Sequence, residues 1–426
     1  MKPTIYEYII IGAGISGCTI ASKLVEIGHK VALFDIKSFN SCKSEKCRFA
    51  FNTPEKDLIE WKNMGIDGWE YEDIQFYFNR IRQNLKIERR LNENRYINDI
   101  FLGLKRIRLD DNFSKFKVKT GYAILDKIKD QKELPHEYLQ SLEKWEYNLK
   151  LFGDTRVNKL LINPMNRIVG VETLRGNFYT TGEVIICAGA IETPKLLLLS
   201  GIGDKKYLKE MKISPIAHVP GVGINLMLKP EITLKVNLYK DHIFDLLKVN
   251  LSKDHVFDII IFDQIGDVNK KNPNIMINMK MSENETLCIS ASIMNSKSKG
   301  YIKLKSLNSN DPPIINFQTD PDDIKLLMEG IKKYKIPHEG DIKLEDKIKI
   351  IQPVGTCKMG SDDDPYAVVN NELKVRNVKG LRIADESIFP TNIGVDPYIT
   401  IMMIANRCVD FILKDNIDKK RISCKL

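Results

Sequence analysis

The sequence predicts an α/β protein in which a Rossmann-like domain is interleaved with a smaller α+β domain that contains an antiparallel sheet. Two features carry this prediction. The first 35 residues follow the order strand, glycine-rich turn, helix and strand, which is typical of a dinucleotide-binding unit. Four further segments, between positions 257 and 305, are short and rich in β-branched residues. With 426 residues, the chain is long enough for two or three domains.

The N-terminal unit follows from the order of apolar runs and breakers. Residues 6–11 (YEYIII) form a short apolar run that is typical of a buried parallel strand. The glycine-rich turn GAGISG occupies residues 12–17, and the helical segment 18–26 ends just before Gly28. Residues 30–34 form a second apolar strand. The order of these four segments predicts a complete βαβ unit.

The turn carries the residues that are expected to bind a dinucleotide. Gly12, Gly14 and Gly17 have the fingerprint spacing and, with Ala13, let backbone atoms approach a pyrophosphate. The N-terminus of the following helix attracts the same negative charge. Asp35 ends the second strand, where a ribose hydroxyl needs an acceptor. The unit predicts dinucleotide binding and does not distinguish FAD from NAD.

Composition and charge argue against several classes of function. The net charge of +9 is spread along the chain, without an arginine-rich cluster interleaved with aromatics, so we expect no nucleic-acid partner. No apolar run reaches ~18 residues and no signal peptide precedes the first strand, so we expect a soluble, intracellular protein without a membrane partner. The eight cysteines show neither a pairing rhythm nor zinc spacing, which favours free thiols and predicts no metal site. Self-association stays open.

Four later segments identify a family. Residues 153–157 (GDTRV), 183–203 (EVIICAGAIETPKLLLLSGIG), 352–360 (QPVGTCKMG) and 381–413 resemble signature blocks of the glucose–methanol–choline (GMC) family of flavin oxidoreductases. Their wording is most similar to choline oxidases and dehydrogenases. The resemblance implies FAD as the cofactor and a fold of the GMC and p-hydroxybenzoate hydroxylase type. It also implies that an alcohol, choline-like in these members, is oxidised by hydride transfer to FAD.

The resemblance adds five residues to the expected cofactor site. In the family, the valine backbone of the TRV strand faces the adenine, and Val157 matches that position. Ala188 and Gly189 match the small residues of a tight turn where the backbone approaches the cofactor. Asp385 matches an aspartate near the flavin phosphates, and Pro397 matches the start of a helix that approaches the flavin ring.

The same resemblance divides the chain into two interleaved domains. It assigns residues 1–94, 136–235 and 352–426 to the FAD-binding domain. It assigns residues 95–135 and 236–351 to a substrate-type domain that is shorter than in the family. A shortened substrate domain predicts a smaller cavity, or one that is open to water, and water disfavours hydride transfer.

The catalytic positions that the resemblance implies are both substituted. The family's catalytic histidine opens the 352–360 block, where this chain has Gln352, and its histidine or asparagine partner corresponds to Asp396. Glutamine can hydrogen-bond but cannot take up a proton, and a carboxylate repels a forming alkoxide. Asp396 itself could serve as the base if burial raised its pKa, which remains an alternative. In a looser match, Asn295 stands where choline-type sites have a histidine.

The flavin site departs from the family pattern as well. Asn40 and Ser41 stand where the family has paired glycines, and Lys46 stands near the position of its asparagine. Residues 227–229 (Met-Leu-Lys) replace the family's glutamine–aspartate–histidine run. Bulkier side chains would take space meant for the isoalloxazine ring, so we expect FAD binding to be weak or lost.

Three functions therefore stay open on the sequence alone. The first is a truncated, inactive or very weak oxidoreductase that keeps the family fold. The second is a working alcohol or choline-type dehydrogenase with unusual catalytic residues and a small-molecule alcohol as substrate. The third is a non-catalytic structural or assembly protein, such as a virion component, because members of the family occur in large DNA viruses with AT-rich genomes. Of these, the substitutions at the two catalytic positions favour the first.

Overall fold

The computed structural model describes residues 5–39, 51–85, 87–88, 107–108, 121–124, 127–128, 147–237, 258–266, 273–281, 286–333 and 348–423. Its helices are α1 (Ile15–Glu26), α2 (Glu55–Asn63), α3 (Tyr71–Asn84), α4 (Gly189–Leu199), α5 (Lys205–Glu210), α6 (Pro321–Lys333) and α7 (Tyr398–Ser423). Its strands are β1 (Ile5–Ile11), β2 (Val31–Phe34), β3 (Ile87–Glu88), β4 (Ile107–Arg108), β5 (Gly121–Ile124), β6 (Lys127–Ile128), β7 (Leu149–Phe152), β8 (Val157–Ile162), β9 (Ile168–Thr173), β10 (Gly176–Ile186), β11 (Ile202–Gly203), β12 (Ala217–His218), β13 (Ile224–Asn237), β14 (Asp258–Asp263), β15 (Ile275–Met281), β16 (Thr286–Ile293), β17 (Lys299–Lys303), β18 (Ile314–Gln318), β19 (Ile348–Val354) and β20 (Leu381–Ile383).

The first sheet contains the predicted nucleotide-binding unit. Its parallel part has the strand order β7–β2–β1–β10–β20. The first half of β10 pairs antiparallel with β9, which pairs antiparallel with β8. Strand β2 and most of β1 are buried, as expected for strands covered on both faces. The predicted βαβ unit is confirmed, although α1 begins at Ile15 and not at residue 18, because only three residues are needed to turn the chain.

The second sheet is largely antiparallel and has nine strands among the described residues. Its main order is β18–β17–β13–β16–β15–β14–β5–β4. Strand β17 pairs with residues 224–227 of β13, and β19 pairs with residues 227–232 of the same strand. The four strands that the sequence predicts between positions 257 and 305 are β14, β15, β16 and β17, each displaced by one or two residues at its ends. The predicted α/β class with an additional antiparallel sheet is therefore confirmed.

One apolar core connects the helices with the first sheet. Helix α1 packs against α7, and α7 packs against α3. Trp61 on α2 and Trp69, just before α3, are buried in this core, and each indole N–H has a hydrogen-bond acceptor. Among the described helices, none combines the length and the apolar character that crossing a bilayer requires. The division into domains stays a prediction. Strand β13 extends across the predicted boundary at residue 235.

The long strand β13 positions Gln352, one of the two residues at the catalytic positions that the resemblance implies. It pairs with β19 in antiparallel register, with Met227 opposite Val354 and Lys229 opposite Ile351. Two residues of β19, Gln352 and Pro353, thus lie opposite one residue of β13, which is the geometry of a β-bulge. Gln352 adopts a positive φ of 54° within this bulge. Bulges redirect side chains, and this one lies where the resemblance places the catalytic histidine.

Candidate active site

A cleft of about 530 Å³ opens beside the carboxyl ends of β1, β2 and β10. This is the edge of a parallel sheet at which nucleotides bind in folds of this type. The cleft brings together eight of the predicted cofactor residues, whereas Gly17 and Pro397 are not among its lining residues. The eight are Gly12, Ala13, Gly14, Asp35, Val157, Ala188, Gly189 and Asp385.

The three glycines of the turn differ in what a side chain at each position would meet. At Gly12, where φ is 104°, an added Cβ would lie 2.2 Å from the carbonyl oxygen of Cys187. At Gly17, an added Cβ would lie 1.9 Å from the carbonyl oxygen of Gly12. At Gly14, an added Cβ would meet no atom within 4 Å. Gly12 and Gly17 therefore let the chain pack on itself, and Gly14 leaves free space in the wall of the cleft.

The N-terminus of α1 follows the turn directly, and the carboxylate of Asp35, at the end of β2, hydrogen-bonds to it. No side chain caps α1, and its first residues, Ile15 and Ser16, line the cleft. Asp35 Oδ2 accepts the N–H of Ala13 at 2.6 Å, and Oδ1 accepts the N–H of Lys37 at 2.7 Å. An uncapped helix start suits a pyrophosphate, and a fixed carboxylate suits a ribose hydroxyl. These residues thus fit a dinucleotide.

Asp385 organises the tight turn on the opposite side of the cleft. Its Oδ2 accepts the N–H of Gly189 at 2.9 Å and the hydroxyl of Thr193 at 2.7 Å, and its Oδ1 accepts the N–H of Ser387 at 2.9 Å. Burial raises its pKa, although these hydrogen bonds act in the opposite direction. Asp385 lines the cleft as the resemblance implies, and in addition it caps the first turn of α4.

Sequence reasoning missed an ion pair in the wall of the cleft. Arg156 Nη1 lies 2.6 Å from Glu192 Oε2, and both side chains are about one quarter to one third exposed. Arg156 precedes the predicted Val157 in the TRV segment, and Glu192 lies in the GAIETPK segment, three residues after Gly189. Both charged residues stand in the quoted motifs, but only the fold shows that β8 and α4 bring them together.

The two substituted catalytic positions are in contact. Gln352 Nε2 lies 3.4 Å from Asp396 Oδ2. Asp396 Oδ1 accepts the N–H of Tyr398, the first residue of α7, at 3.0 Å, and Pro397 accepts the N–H of Ile401. The structure therefore joins the positions that the resemblance pairs and places Pro397 in the cap of α7. The amide of Gln352 thus faces the carboxylate of Asp396 as a donor.

Two buried charges near this pair were not predicted as site residues. Lys229 on β13 is 2% exposed, and its Nζ donates to the carbonyl of Val395 at 3.1 Å. Burial lowers its pKa to about 8, against the attraction of Asp396 and Asp57. Asp57 on α2 is fully buried, and its Oδ2 accepts the N–H of Gly394 at 2.9 Å. Burial raises its pKa to about 6.

Other predicted departures are only partly visible. Asn40, Ser41 and Lys46 lie outside the described residues. Asn295 is exposed and accepts a hydrogen bond from Lys56 Nζ at 3.1 Å. Its Oδ1 lies 3.6 Å from where a Cβ added at Gly394 would be, two residues before Asp396. Within the described ranges, no cluster of three or more His, Cys, Asp or Glu side chains could hold a metal ion.

Comparison with protein families gives consistent matches along the chain. Two models described as GMC oxidoreductase match residues 47–231 and 337–405, which together are more than half of the chain. A model described as an NAD(P)-binding Rossmann-like domain matches residues 10–46. The matches therefore cover the nucleotide-binding turn, the segments 153–157 and 183–203, and the segment 352–360 that contains Gln352.

Individual relatives are distant but extensive. Choline oxidase of Arthrobacter globiformis is 25% identical, over 88% of this chain and 80% of the relative. Glucose dehydrogenase [FAD, quinone] of Drosophila pseudoobscura pseudoobscura is also 25% identical, over 94% of this chain and 86% of the relative. A solved structure of formate oxidase from Aspergillus oryzae RIB40 superposes with a TM-score of 0.80 at 17% identity, covering 98% of this chain and 100% of that one. At this identity, the structural likeness shows the fold.

Proposed function

Because the chain belongs to the GMC oxidoreductase family, we propose that it binds FAD and oxidises an alcohol only very slowly or not at all. One observation carries this proposal. The contact at the catalytic position joins a neutral amide, Gln352, to a carboxylate, Asp396, at 3.4 Å. Neither side chain offers the neutral imidazole that would accept a hydroxyl proton near neutral pH.

The residues of the cleft would hold the dinucleotide part of FAD. The N-terminus of α1 and the open wall at Gly14 suit the pyrophosphate, and Asp35 suits a ribose. When bound, FAD supplies the acceptor for a hydride. The names of two relatives, choline oxidase and an FAD-linked glucose dehydrogenase, support an alcohol as the substrate class and leave choline or a sugar as candidates.

The chemistry of the contact explains why turnover is expected to be slow. Alcohol oxidation requires an acceptor for the hydroxyl proton, and a well-placed general base contributes about 10²–10⁴-fold to the rate. Gln352 cannot accept that proton, and its amide already faces Asp396. An ionised Asp396 also repels the negative charge that develops on the alcohol oxygen. Both effects raise the barrier relative to a site with an imidazole.

The alignments give additional support for a shortened, weakly active enzyme. The match to the Drosophila dehydrogenase extends over 542 positions, more than the 426 residues of this chain. That relative therefore carries internal residues that have no counterpart here. The resemblance places the shortening in the substrate-type domain, where fewer residues would leave a cavity that excludes water poorly, and water disfavours hydride transfer.

The test is a gain of function. We expect Gln352→His combined with Asp396→Asn to bleach the flavin with a primary alcohol at least ~10²-fold faster than the unmodified protein, because it restores a base and removes the repelling charge. Histidine is among the residues that tolerate a positive φ, so the bulge can accept it. Asp396→Asn alone is the matched control and should gain much less.

Three outcomes would separate the functions. Equal rates for the double variant and the unmodified protein would contradict a defect that is local to these two positions. Fast bleaching by the unmodified protein would indicate a working dehydrogenase. A folded, self-associating protein without flavin absorbance would favour the structural role.

A further inference from the structure

Glu386 brings a second carboxylate to the start of α4, next to that of Asp385. Its side chain is half-buried and lines the cleft, and its Oε1 accepts the N–H of Ala190 at 3.2 Å. An added Cβ at Gly189 would lie 2.9 Å from the same oxygen, so the carboxylate lies against the first turn of the helix. The N-terminus of a helix attracts an anion such as a phosphate. At this helix end, two side chains of the protein already supply negative charge.

Contacts between neighbouring segments place Glu386 at the end of the cleft that suits a pyrophosphate. Ser16, in the first turn of α1, donates its hydroxyl to the carbonyl of Ala384, two residues before Glu386. Gly12 packs on the segment before α4, because an added Cβ there would lie 3.0 Å from the Cα of Ala188. All of these residues except Ala384 line the cleft. The glycine-rich turn, the N-terminus of α1 and the carboxylate of Glu386 therefore border the same end of the cleft.

Carboxylates outnumber cations in the described lining of the cleft. Lys37 is exposed and follows Asp35 by two positions, and Arg156 is paired with Glu192 at 2.6 Å. Each cation thus accompanies a carboxylate of the same lining. A pyrophosphate is itself an anion, so an excess of carboxylates opposes its binding. The carboxylates are Asp35, Glu192, Asp385 and Glu386, and the cations are Lys37 and Arg156.

We propose that Glu386 repels the pyrophosphate of a dinucleotide and so lowers the affinity of the cleft for FAD. The inference rests on the proposed function, in which this cleft binds FAD. The carboxylate is part of the wall, so a phosphate that enters this end of the cleft meets a like charge that already interacts with the start of α4. FAD therefore binds weakly and exchanges readily, and part of the protein lacks the cofactor when FAD is scarce.

A purely structural role for Glu386 makes a different prediction. If its carboxylate served only to satisfy the N–H of Ala190, Glu386→Gln would keep an acceptor oxygen and leave cofactor affinity unchanged. The proposal assigns the effect to the charge, so Glu386→Gln and Glu386→Ala should both bind the cofactor more tightly. Glu386→Ala should in addition have a lower melting temperature, because it loses the acceptor at the start of α4.

The test compares ADP, which contains the pyrophosphate, with adenosine, which lacks it. Isothermal titration calorimetry measures the affinity of the flavin-free, full-length protein for each ligand at low salt. We expect Glu386→Gln to bind ADP about tenfold more tightly than the unmodified protein, because one like charge is removed beside the ligand. The affinity for adenosine should not change. Titration with FAD, followed by flavin fluorescence, should show a gain in the same direction as ADP.

Salt and a second glutamate provide the controls. In ~1 M salt the Debye length falls to ~3 Å, so the gain of Glu386→Gln for ADP should shrink to about threefold or less. Glu210, on α5, is exposed and is not among the described lining residues of the cleft. Glu210→Gln changes the net charge by the same amount and should leave the ADP affinity unchanged.

Three results would overturn the inference. One is an ADP affinity that is equal or lower in Glu386→Gln, including the absence of ADP binding in every variant. Another is an equal gain for adenosine, which would show that the substitution acts on the cleft without regard to phosphate charge. The third is weaker FAD binding by Glu386→Gln. Fast bleaching of the FAD-loaded, unmodified protein by an alcohol would contradict the proposed function alone, because the ratio of ADP affinities does not depend on turnover.

Discussion

At the scale of single residues, the sequence does not show how three glycines differ in their roles, or that two charged side chains are buried. Gly12, Gly14 and Gly17 are equivalent letters of one fingerprint, but only Gly14 leaves open space beside the cleft. In the sequence, Lys229 is marked only as part of the substituted run 227–229, and Asp57 looks like an ordinary surface charge. Their burial depends on contacts between residues more than 160 positions apart, which no local pattern encodes.

The pH dependence of stability should report on Asp57. Its pKa in the folded protein is about 6, above the ~4 of an unfolded chain, so the folded state binds more protons between these values. This contribution to stability is present below about pH 4 and is lost as the pH rises through about 6. The raised pKa corresponds to roughly 2–4 kcal/mol.

Urea unfolding at several pH values between 4 and 7 tests this expectation. Asp57→Asn keeps an acceptor for the N–H of Gly394 but does not titrate, so the loss of stability between pH 4 and 6 should become smaller. Asp322→Asn, at an exposed carboxylate, is the control and should leave the slope unchanged. An identical slope in Asp57→Asn and the unmodified protein would show that Asp57 titrates normally.

The glycines of the turn provide a second pair of matched variants. Gly17→Ala places a Cβ 1.9 Å from a backbone oxygen, so we expect a loss of stability of ~1–3 kcal/mol or more. Gly14→Ala meets no protein atom, and its stability should change by less than ~1 kcal/mol. The FAD content of Gly14→Ala should nevertheless fall, because the new methyl group takes space beside the pyrophosphate. Melting temperature and flavin absorbance measure the two effects, and full FAD content in Gly14→Ala would contradict this placement.

At the scale of elements, short-range patterns were sufficient and long-range pairing was not. The strands of the βαβ unit and of β14 to β17 were predicted within two residues at nearly every end, because apolar runs and glycines mark them. The order of the second sheet and the bulge at Gln352 depend on pairing between strands that are far apart in the chain. Without that bulge, the direction of the Gln352 side chain could not be foreseen.

Helix α4 depends on a cap from a distant residue. Asp385 accepts the N–H of Gly189 and the hydroxyl of Thr193, and it replaces the side-chain cap that Ala188 cannot provide. Asp385→Ala should therefore destabilise the protein by ~1–3 kcal/mol and increase hydrogen exchange in the first turn of α4. Thr193→Val removes one of these bonds only and should cost less. Equal stability of Asp385→Ala and the unmodified protein would contradict the capping role.

At the scale of the whole molecule, the chain has the fold of a GMC oxidoreductase, whereas the two positions that the resemblance assigns to catalysis hold Gln352 and Asp396 and no histidine. The cleft keeps the turn, the acidic residue and the uncapped helix start that a dinucleotide needs. The resemblance of four sequence blocks was enough to identify the family and to pair Gln352 with Asp396. The burial of Lys229 beside the turn that precedes α7 became visible only in three dimensions, because β13 and α2 converge on that turn.

The most direct test of this account is anaerobic mixing of the FAD-loaded, unmodified protein with choline, glucose or a simple primary alcohol at pH 7, followed by flavin absorbance. The account predicts a bound-flavin spectrum that stays oxidised or bleaches far more slowly than the ~10 s⁻¹ of an ordinary enzyme. Bleaching at an ordinary enzymatic rate at this pH would contradict it, because Gln352 and Asp396 would then not limit proton removal.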